Sequence, residues 1–219
     1  MVLEEYRARV APYVARLARP FLGWSPNSLS GLAFGCAAAA AAVAAVVRWT
    51  TPLLFLAVAV LIFLAGLFDV LDGAVARATG RTSRRGDFLD HVLDRYADLV
   101  IVLGIAVSGY ANPILALLAL ASLLLTSYMG TQAQAVGIGR AYAGLLTRAD
   151  RLVVLALAAF LEFDWSLPWP WAPSAPWSRF HVGGLVFTVL DVAFVYFVIA
   201  GQWTALARAW RTYRAIPPG

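Results

Sequence analysis

Apolar residues come in six long runs, separated by short stretches that hold most of the charge. The runs fall at about 27–48, 52–77, 86–109, 112–136, 149–164 and 183–207. Most approach the roughly 20 residues that cross the hydrocarbon of a bilayer, and the fifth is the shortest. Backbone polar groups in lipid must bond within their own segment, so each run is predicted as a helix. Residues 3–22 follow a different pattern. Tyr6, Val10, Tyr13, Val14, Leu17 and Phe21 share one helical face, and Glu5, Arg9 and Arg16 another. That is the layout of an amphipathic helix lying along a membrane surface. Ser25, Pro26, Asn27 and Ser28 end it and start the first span. The expected fold class is all-α integral membrane, with six transmembrane helices preceded by an amphipathic surface helix. The expected divisions are 1–24 for the juxtamembrane helix, 25–214 for the six-helix domain and 215–219 for a tail.

Composition agrees with that pattern. Of 219 residues, 62% are hydrophobic and only 13% charged, outside the range of soluble globular domains. All 17 basic residues are arginines. Fourteen of them fall on one side of the predicted spans: Arg7, Arg9, Arg16, Arg19, Arg77, Arg81, Arg84, Arg85, Arg140, Arg148, Arg151, Arg208, Arg211 and Arg214. Arg48 and Arg179 fall on the other. The positive-inside rule therefore places both termini and the loop between spans two and three at the cytoplasmic face of a multi-pass cell-membrane protein. A net charge of +5 suits contact with anionic lipid headgroups, and no nucleic-acid partner is expected. The single cysteine, Cys36, permits no disulfide within the chain and reads as a small core residue. The N-terminus lacks the early apolar core and cleavage site of a signal peptide, so none is expected. The Trp- and Pro-rich stretch over 164–177 reads as an irregular external loop in the aromatic belt.

Candidate chemistry sits between spans two and three. Asp69 and Asp72 are three apart, and Asp90 and Asp94 four apart, so each pair shares one helical face. The two helices are expected to be antiparallel neighbours joined by a short basic turn, with the pairs facing each other. Four unpaired carboxylates there would repel and desolvate badly, a cost that one or two bound cations remove. Oxygen-only ligands favour Mg²⁺ or Mn²⁺ over zinc. A solvated acidic loop is the plainer alternative. Against it, Asp90 and Asp94 stand among Phe88, Leu89, Val92 and Leu93, as in an amphipathic helix. Gly73 and Gly86 allow close approach of backbone or ligand, and Arg77 lies one turn beyond Gly73, able to answer a phosphate.

These residues match, without departure, the signature D-x2-D-G-x2-A-R-x8-G-x3-D-x3-D. Asp69, Asp72, Gly73, Ala76, Arg77, Gly86, Asp90 and Asp94 fill its fixed positions. On that motif the chain resembles the CDP-alcohol phosphotransferase family, and the six spans and surface helix fit the same family over most of the chain. The resemblance implies transfer of a phosphatidyl- or archaetidyl-type group from a CDP-lipid, CDP-diacylglycerol or CDP-archaeol, to an acceptor hydroxyl with release of CMP. It implies two Mg²⁺ or Mn²⁺ ions on Asp69, Asp72, Asp90 and Asp94, with Asp94 as general base. Asn27, Asp69, Asp72, Gly73, Ala76, Arg77 and Gly86 would contact the CDP moiety. A homodimer among membrane lipids is the usual assembly of such proteins.

For the acceptor, Gln132, Gln134, Arg140, Arg148 and Arg151 gather near the cytoplasmic ends of spans four and five. Arginines beside amides suit a phosphorylated polyol. Positive-inside anchoring explains any one of these arginines equally well. This part of the chain resembles the inositol-phosphate-using branch, and glycerol phosphate or serine remain alternatives. A cation transporter is a reading from another class; such proteins place ions nearer the bilayer midplane and often carry inverted repeats. A non-enzymatic lipid-binding scaffold is a third. His91 is read as structural. Asp87 could bind metal or nucleotide, or serve a helix N-terminus. Asp98 is read as pairing with Arg95 or a neighbouring helix. Asp191 is read either as functional or as a helix-to-helix hydrogen bond.

Overall fold

The computed structural model describes residues 11–139, 146–167 and 179–217. Six long helices occur among them: α1 (Pro26–Val46), α2 (Phe55–Thr79), α3 (Arg84–Val107), α4 (Pro113–Ala135), α5 (Arg148–Ser166) and α6 (Val189–Ala215). Residues 11–18 are also helical and run into a 3-10 turn at Arg19–Phe21. Glu5, Tyr6, Arg7, Arg9 and Val10 lie outside the described residues, as do Arg140 and the 168–178 part of the Trp- and Pro-rich loop.

Helix boundaries follow from local chemistry. The Ser25 hydroxyl accepts from the Ser28 N–H at 3.1 Å, with Pro26 at the first turn of α1. Asn112 caps α4 ahead of Pro113 in the same way. Ser83 caps α3 by accepting from Gly86 N–H at 3.0 Å. Thr147 with Asp150, and Thr188 with Asp191, form reciprocal capping boxes for α5 and α6. Gly80, at φ 66°, closes α2 in the left-handed conformation that glycine adopts freely.

Among the described residues, four stretches are long and apolar enough to cross a membrane: Pro26–Trp49, Pro52–Thr79, Pro113–Ala135 and Val189–Ala215. Helices α3 and α5 fill the expected third and fifth spans but fall short of that measure, because α3 carries Asp87, Asp90, Asp94, Arg95 and Asp98, and α5 carries Arg148, Asp150, Arg151, Glu162 and Asp164. Much of the outward surface is apolar, as at Phe63, Ile114, Val153 and Ile199, all mostly exposed.

Small residues let the helices close. Helix α1 buries Ala37, Ala40 and Ala44, and a Cβ at Gly104 would stand 2.5 Å from the Ala41 backbone. Such close crossings are how helices associate where lipid gives no hydrophobic drive. A Cβ at Gly201 would stand 2.9 Å from Ser122, and beside it Thr126 Oγ1 donates to Gly201 O at 3.0 Å, tying α4 to α6. Phe55, Ile62, Ile101, Ile105, Leu123, Phe194 and Phe197 fill the core. The most extensive packing is between α1 and α2, α1 and α3, α2 and α5, and α4 and α6. Helices α2 and α3, expected to be packed neighbours, hardly approach along their lengths. Helix α1 packs on both, and the two aspartate-bearing ends meet through side chains.

The chain is not wholly helical. Arg179–Val182 (β1) and Leu185–Thr188 (β2) form an antiparallel hairpin, with Phe180 opposite Phe187 and His181 opposite Val186. The sixth helix therefore begins at Val189 rather than near 183. The cause is the pair Gly183 and Gly184, both at positive φ (57° and 82°), which make a tight two-residue turn.

Candidate active site

The starts of α1, α3 and α5 and the ends of α2, α4 and α6 gather at one end of the bundle, around two cavities. The first, about 250 Å³, lies between α1, α2 and α3 and is lined by Asn27, Ser30, Asp72, Gly73, Ala76, Arg77, Gly86 and Asp90, with Arg81, Thr82 and Ser83 at the connection. Its glycines keep the walls close. A Cβ at Gly73 would lie 3.1 Å from Arg77 Nη1, and one at Gly86 would lie 3.1 Å from Ser83 Oγ and 3.4 Å from Asn27 Oδ1. Of the residues expected to touch a CDP group, Asn27, Asp72, Gly73, Ala76, Arg77 and Gly86 line this cleft, while Asp69 stands behind Asp72.

Carboxylates form the cleft's inner wall. Oxygens of Asp69, Asp72 and Asp90 lie within 4.8 Å of one another, and ligand atoms of Asp90, His91 and Asp94 make a second such group. Asp90 belongs to both. Mg²⁺–oxygen contacts are about 2.1 Å, so small side-chain rotations bring either set onto one ion. The donor set, three carboxylates from two helices at the open end of a bundle, fits a hard divalent cation. Ser30 Oγ donates to Asp72 Oδ2 at 2.5 Å, holding that buried carboxylate from α1. Arg148 Nη1 pairs with both Asp69 Oδ1 and Asp94 Oδ1, tying α5 to α2 and α3.

The second cavity, about 630 Å³, opens on the other side of Asp94. Arg95 and His91 line it from α3, Arg148 and Arg151 from α5, Ser127, Tyr128 and Thr131 from α4 and Arg208 from α6. Arg148 and Arg151, two residues expected near an acceptor, are therefore at its wall. Gln132 and Gln134 are exposed and outside it, just beyond Thr131 on α4.

Residues 24–190 match the model of the CDP-alcohol phosphatidyltransferase family. The chain belongs to this family. It is 35% identical over 163 residues to the archaetidylinositol phosphate synthase of Aeropyrum pernix, covering 73% of this chain and 78% of that one. It is 41% identical over 110 residues to the archaetidylinositol phosphate synthase of Methanothermobacter thermautotrophicus, 49% of this chain and 56% of that protein. The chain thus spans little more than half the length of that relative. Among solved structures, the phosphatidylinositol phosphate synthase of Mycobacterium tuberculosis with CDP-DAG bound matches with a TM-score of 0.69 at 25% identity, covering 94% of this chain and 98% of that one.

Within this phosphatidyltransferase fold, several site residues were not singled out from sequence. Ser30 has a weak signal, since it lies one turn beyond Asn27, but its bond to Asp72 joins residues far apart in the chain. His91 was read as structural. Its ring lines the second cavity, with Nε2 3.5 Å from Asp87 and Nδ1 3.9 Å from Asp90. Arg208 donates from α6 to Thr126 O at 2.6 Å and also lines that cavity. Asp191, left open between two readings, caps α6 and accepts from Asn112 N–H at 2.6 Å, which makes it structural. Asp87 is mostly exposed and lines both cavities.

Proposed function

We propose that this protein transfers the phosphatidyl- or archaetidyl-type group of a CDP-lipid to a hydroxyl of a phosphorylated polyol, with inositol phosphate favoured, and releases CMP. The observation that carries this reading is the position of the acidic groups between two cavities, one bearing the residues of the family's nucleotide signature and the other walled by arginines. The first suits a CDP group and the second an anionic acceptor, with the reacting phosphorus between them. Relatives named archaetidylinositol phosphate synthase support the choice of acceptor.

In this reading Asn27, Gly73, Ala76, Arg77 and Gly86 hold the CDP moiety, and Arg77 answers its phosphate charge. Asp69, Asp72, Asp90 and Asp94 would hold two Mg²⁺ or Mn²⁺ ions, which would neutralise the diphosphate and stabilise the departing CMP. Ser30 fixes Asp72. Asp94 faces the second cavity and accepts the proton of the acceptor hydroxyl as its oxygen bonds to the phosphorus bearing the lipid alcohol. The bond from that phosphorus to the CMP oxygen breaks, and CMP leaves. Arg148 and Arg151 receive the acceptor's own phosphate; for Gln132, Gln134 and Arg140 a part in acceptor binding remains a proposal.

The same reading takes all six helices as membrane spans. Charges on α3 and α5 answer one another across the interior, as Arg148 does Asp94 and Arg151 does Asp98, so both can cross despite them. Residues 1–24 would form the amphipathic surface helix, 25–214 the catalytic domain and 215–219 a tail. The arginine-rich end would face the cytoplasm, where soluble substrates arrive. A homodimer is the proposed assembly. An acceptor screen tests the function: CDP-diacylglycerol and CDP-archaeol crossed with inositol phosphate, glycerol phosphate, inositol and serine, with products identified by mass spectrometry. Product with inositol phosphate supports the reading. Product only with glycerol phosphate or serine would move the protein to another branch, and none with any pair would end the transferase assignment.

A further inference from the structure

The proposed reaction does not use Asp98, one of the most buried charged groups among the described residues, 2% exposed. It lies one turn beyond Asp94 on α3, and Arg151 lies one turn beyond Arg148 on α5. The two helices thus face each other with two tiers of acid and arginine, Asp94 with Arg148 at the open end and Asp98 with Arg151 behind it. The backbones of α3 and α5 are not a closely packed pair, so long arginine side chains span the gap. Arg151 is 3% exposed, and its Nη1 donates to Asp98 Oδ2 at 2.8 Å. Arg95 Nη1 stands 3.3 Å from the same oxygen and also donates to Ser127 Oγ on α4. Two guanidinium groups therefore converge on one carboxylate oxygen, and both line the second cavity.

Arg95 Nη2 also stands 3.8 Å from Asp94 Oδ2, so each of the two arginines has a carboxylate partner. A buried arginine is costly unless an acid answers it, as Asp98 answers Arg151. Arg151 Nε is also buried and makes no hydrogen bond, so among the described residues Asp98 is the acid that anchors this guanidinium. A phosphate monoester in the cavity would meet both guanidinium groups at its wall.

We propose that Asp98 is a positioning residue for acceptor selection, fixing Arg151 and Arg95 as a paired seat for the acceptor's phosphate. This role rests on the reading of the second cavity as the acceptor site. Asp98 touches neither substrate. It sets where two cations stand, and so how strongly a phosphorylated acceptor is favoured over its unphosphorylated form.

Steady-state kinetics on the full chain in lipid nanodiscs, with CDP-diacylglycerol or CDP-archaeol as donor, test it. Asp98→Asn should raise KM for inositol phosphate about tenfold, as for loss of one hydrogen bond to a charged group, and Asp98→Glu about threefold. KM for the CDP-lipid should stay within about twofold of wild type in both. The wild-type preference for inositol phosphate over inositol should shrink in the same order. Because Asp98→Asn leaves a buried arginine without its counter-ion, it is the variant at risk of misfolding; Asp98→Glu keeps the charge and the pair, and carries the test alone if needed. An unchanged acceptor KM in either folded variant, or donor and acceptor KM rising together, overturns the role. A wild-type protein that uses inositol as readily as its phosphate overturns the acceptor reading itself, and this role with it.

Discussion

At the residue scale, the site depends on side chains whose spacing is plain but whose partners are distant. Asp94 is largely buried, faces the second cavity and is paired with Arg148. Asp94→Asn is expected to keep CDP-lipid binding and lose turnover by about 10²-fold or more, the usual worth of a general base; equilibrium binding and CMP release measured on the same preparation check both halves. Gly73→Ala places a methyl 3.1 Å from Arg77 Nη1. Because the neighbour is the tip of a flexible side chain, the protein should fold, while KM for the CDP-lipid rises by about threefold to tenfold as Arg77 shifts. The eight signature positions were legible because spacings of three and four residues put the acids on one helical face. Ser30 and His91 were not, since the first is defined by a bond across 42 positions of sequence and the second by how the ring turns between Asp87 and Asp90.

At the element scale, hydropathy located the first five long helices within a few residues of their observed ends and the sixth less closely, since it runs over Val189–Ala215 rather than 183–207; capping residues such as Ser83 and Thr147 explain where helices start. Two things escaped. The second half of the hairpin, 183–188, was read as the start of a span, because its apolar residues match a helix entry and only the conformation of Gly183 and Gly184 separates the two. The placement of α2 and α3 also differs. A short connection suggested packed neighbours, but α1 takes the position between them and leaves room for the cleft. The crossing of α1 and α3 depends on Gly104, where any Cβ meets the Ala41 backbone. Gly104→Val should therefore destabilise the protein by about 3 kcal/mol or more, at the upper end of overpacking costs. A thermal midpoint in detergent close to wild type would show that the crossing is looser than described.

For the molecule as a whole, the distribution of arginines and the two tiers of paired charge give one picture: an apolar exterior, a polar end and a charged interior at that end. The sequence conveyed the first two through hydropathy and the positive-inside pattern. The interior was only partly readable, because Arg148 and Arg151 could anchor the protein at a membrane surface or enter the site, and only their distances to Asp94 and Asp98 separate those roles. Orientation is testable in a Cys36→Ala background. Cysteine at Thr82 should be labelled by a membrane-impermeant maleimide only from the cytoplasmic side, and cysteine at Gly183 only from the outside. Labelling of both from one side would refute the six-span topology.

The central claim is that the opposed aspartates hold divalent ions where the CDP-lipid reacts. Asp90 belongs to both ligand groups, so its substitution examines both at once. Mn²⁺ titrated into the purified protein with CDP present, and followed by electron paramagnetic resonance, should reveal two bound ions in wild type. In Asp90→Asn both should be weakened by about tenfold or more, in line with loss of a direct ligand. Wild-type Mn²⁺ affinity and stoichiometry in a folded Asp90→Asn protein would contradict the account.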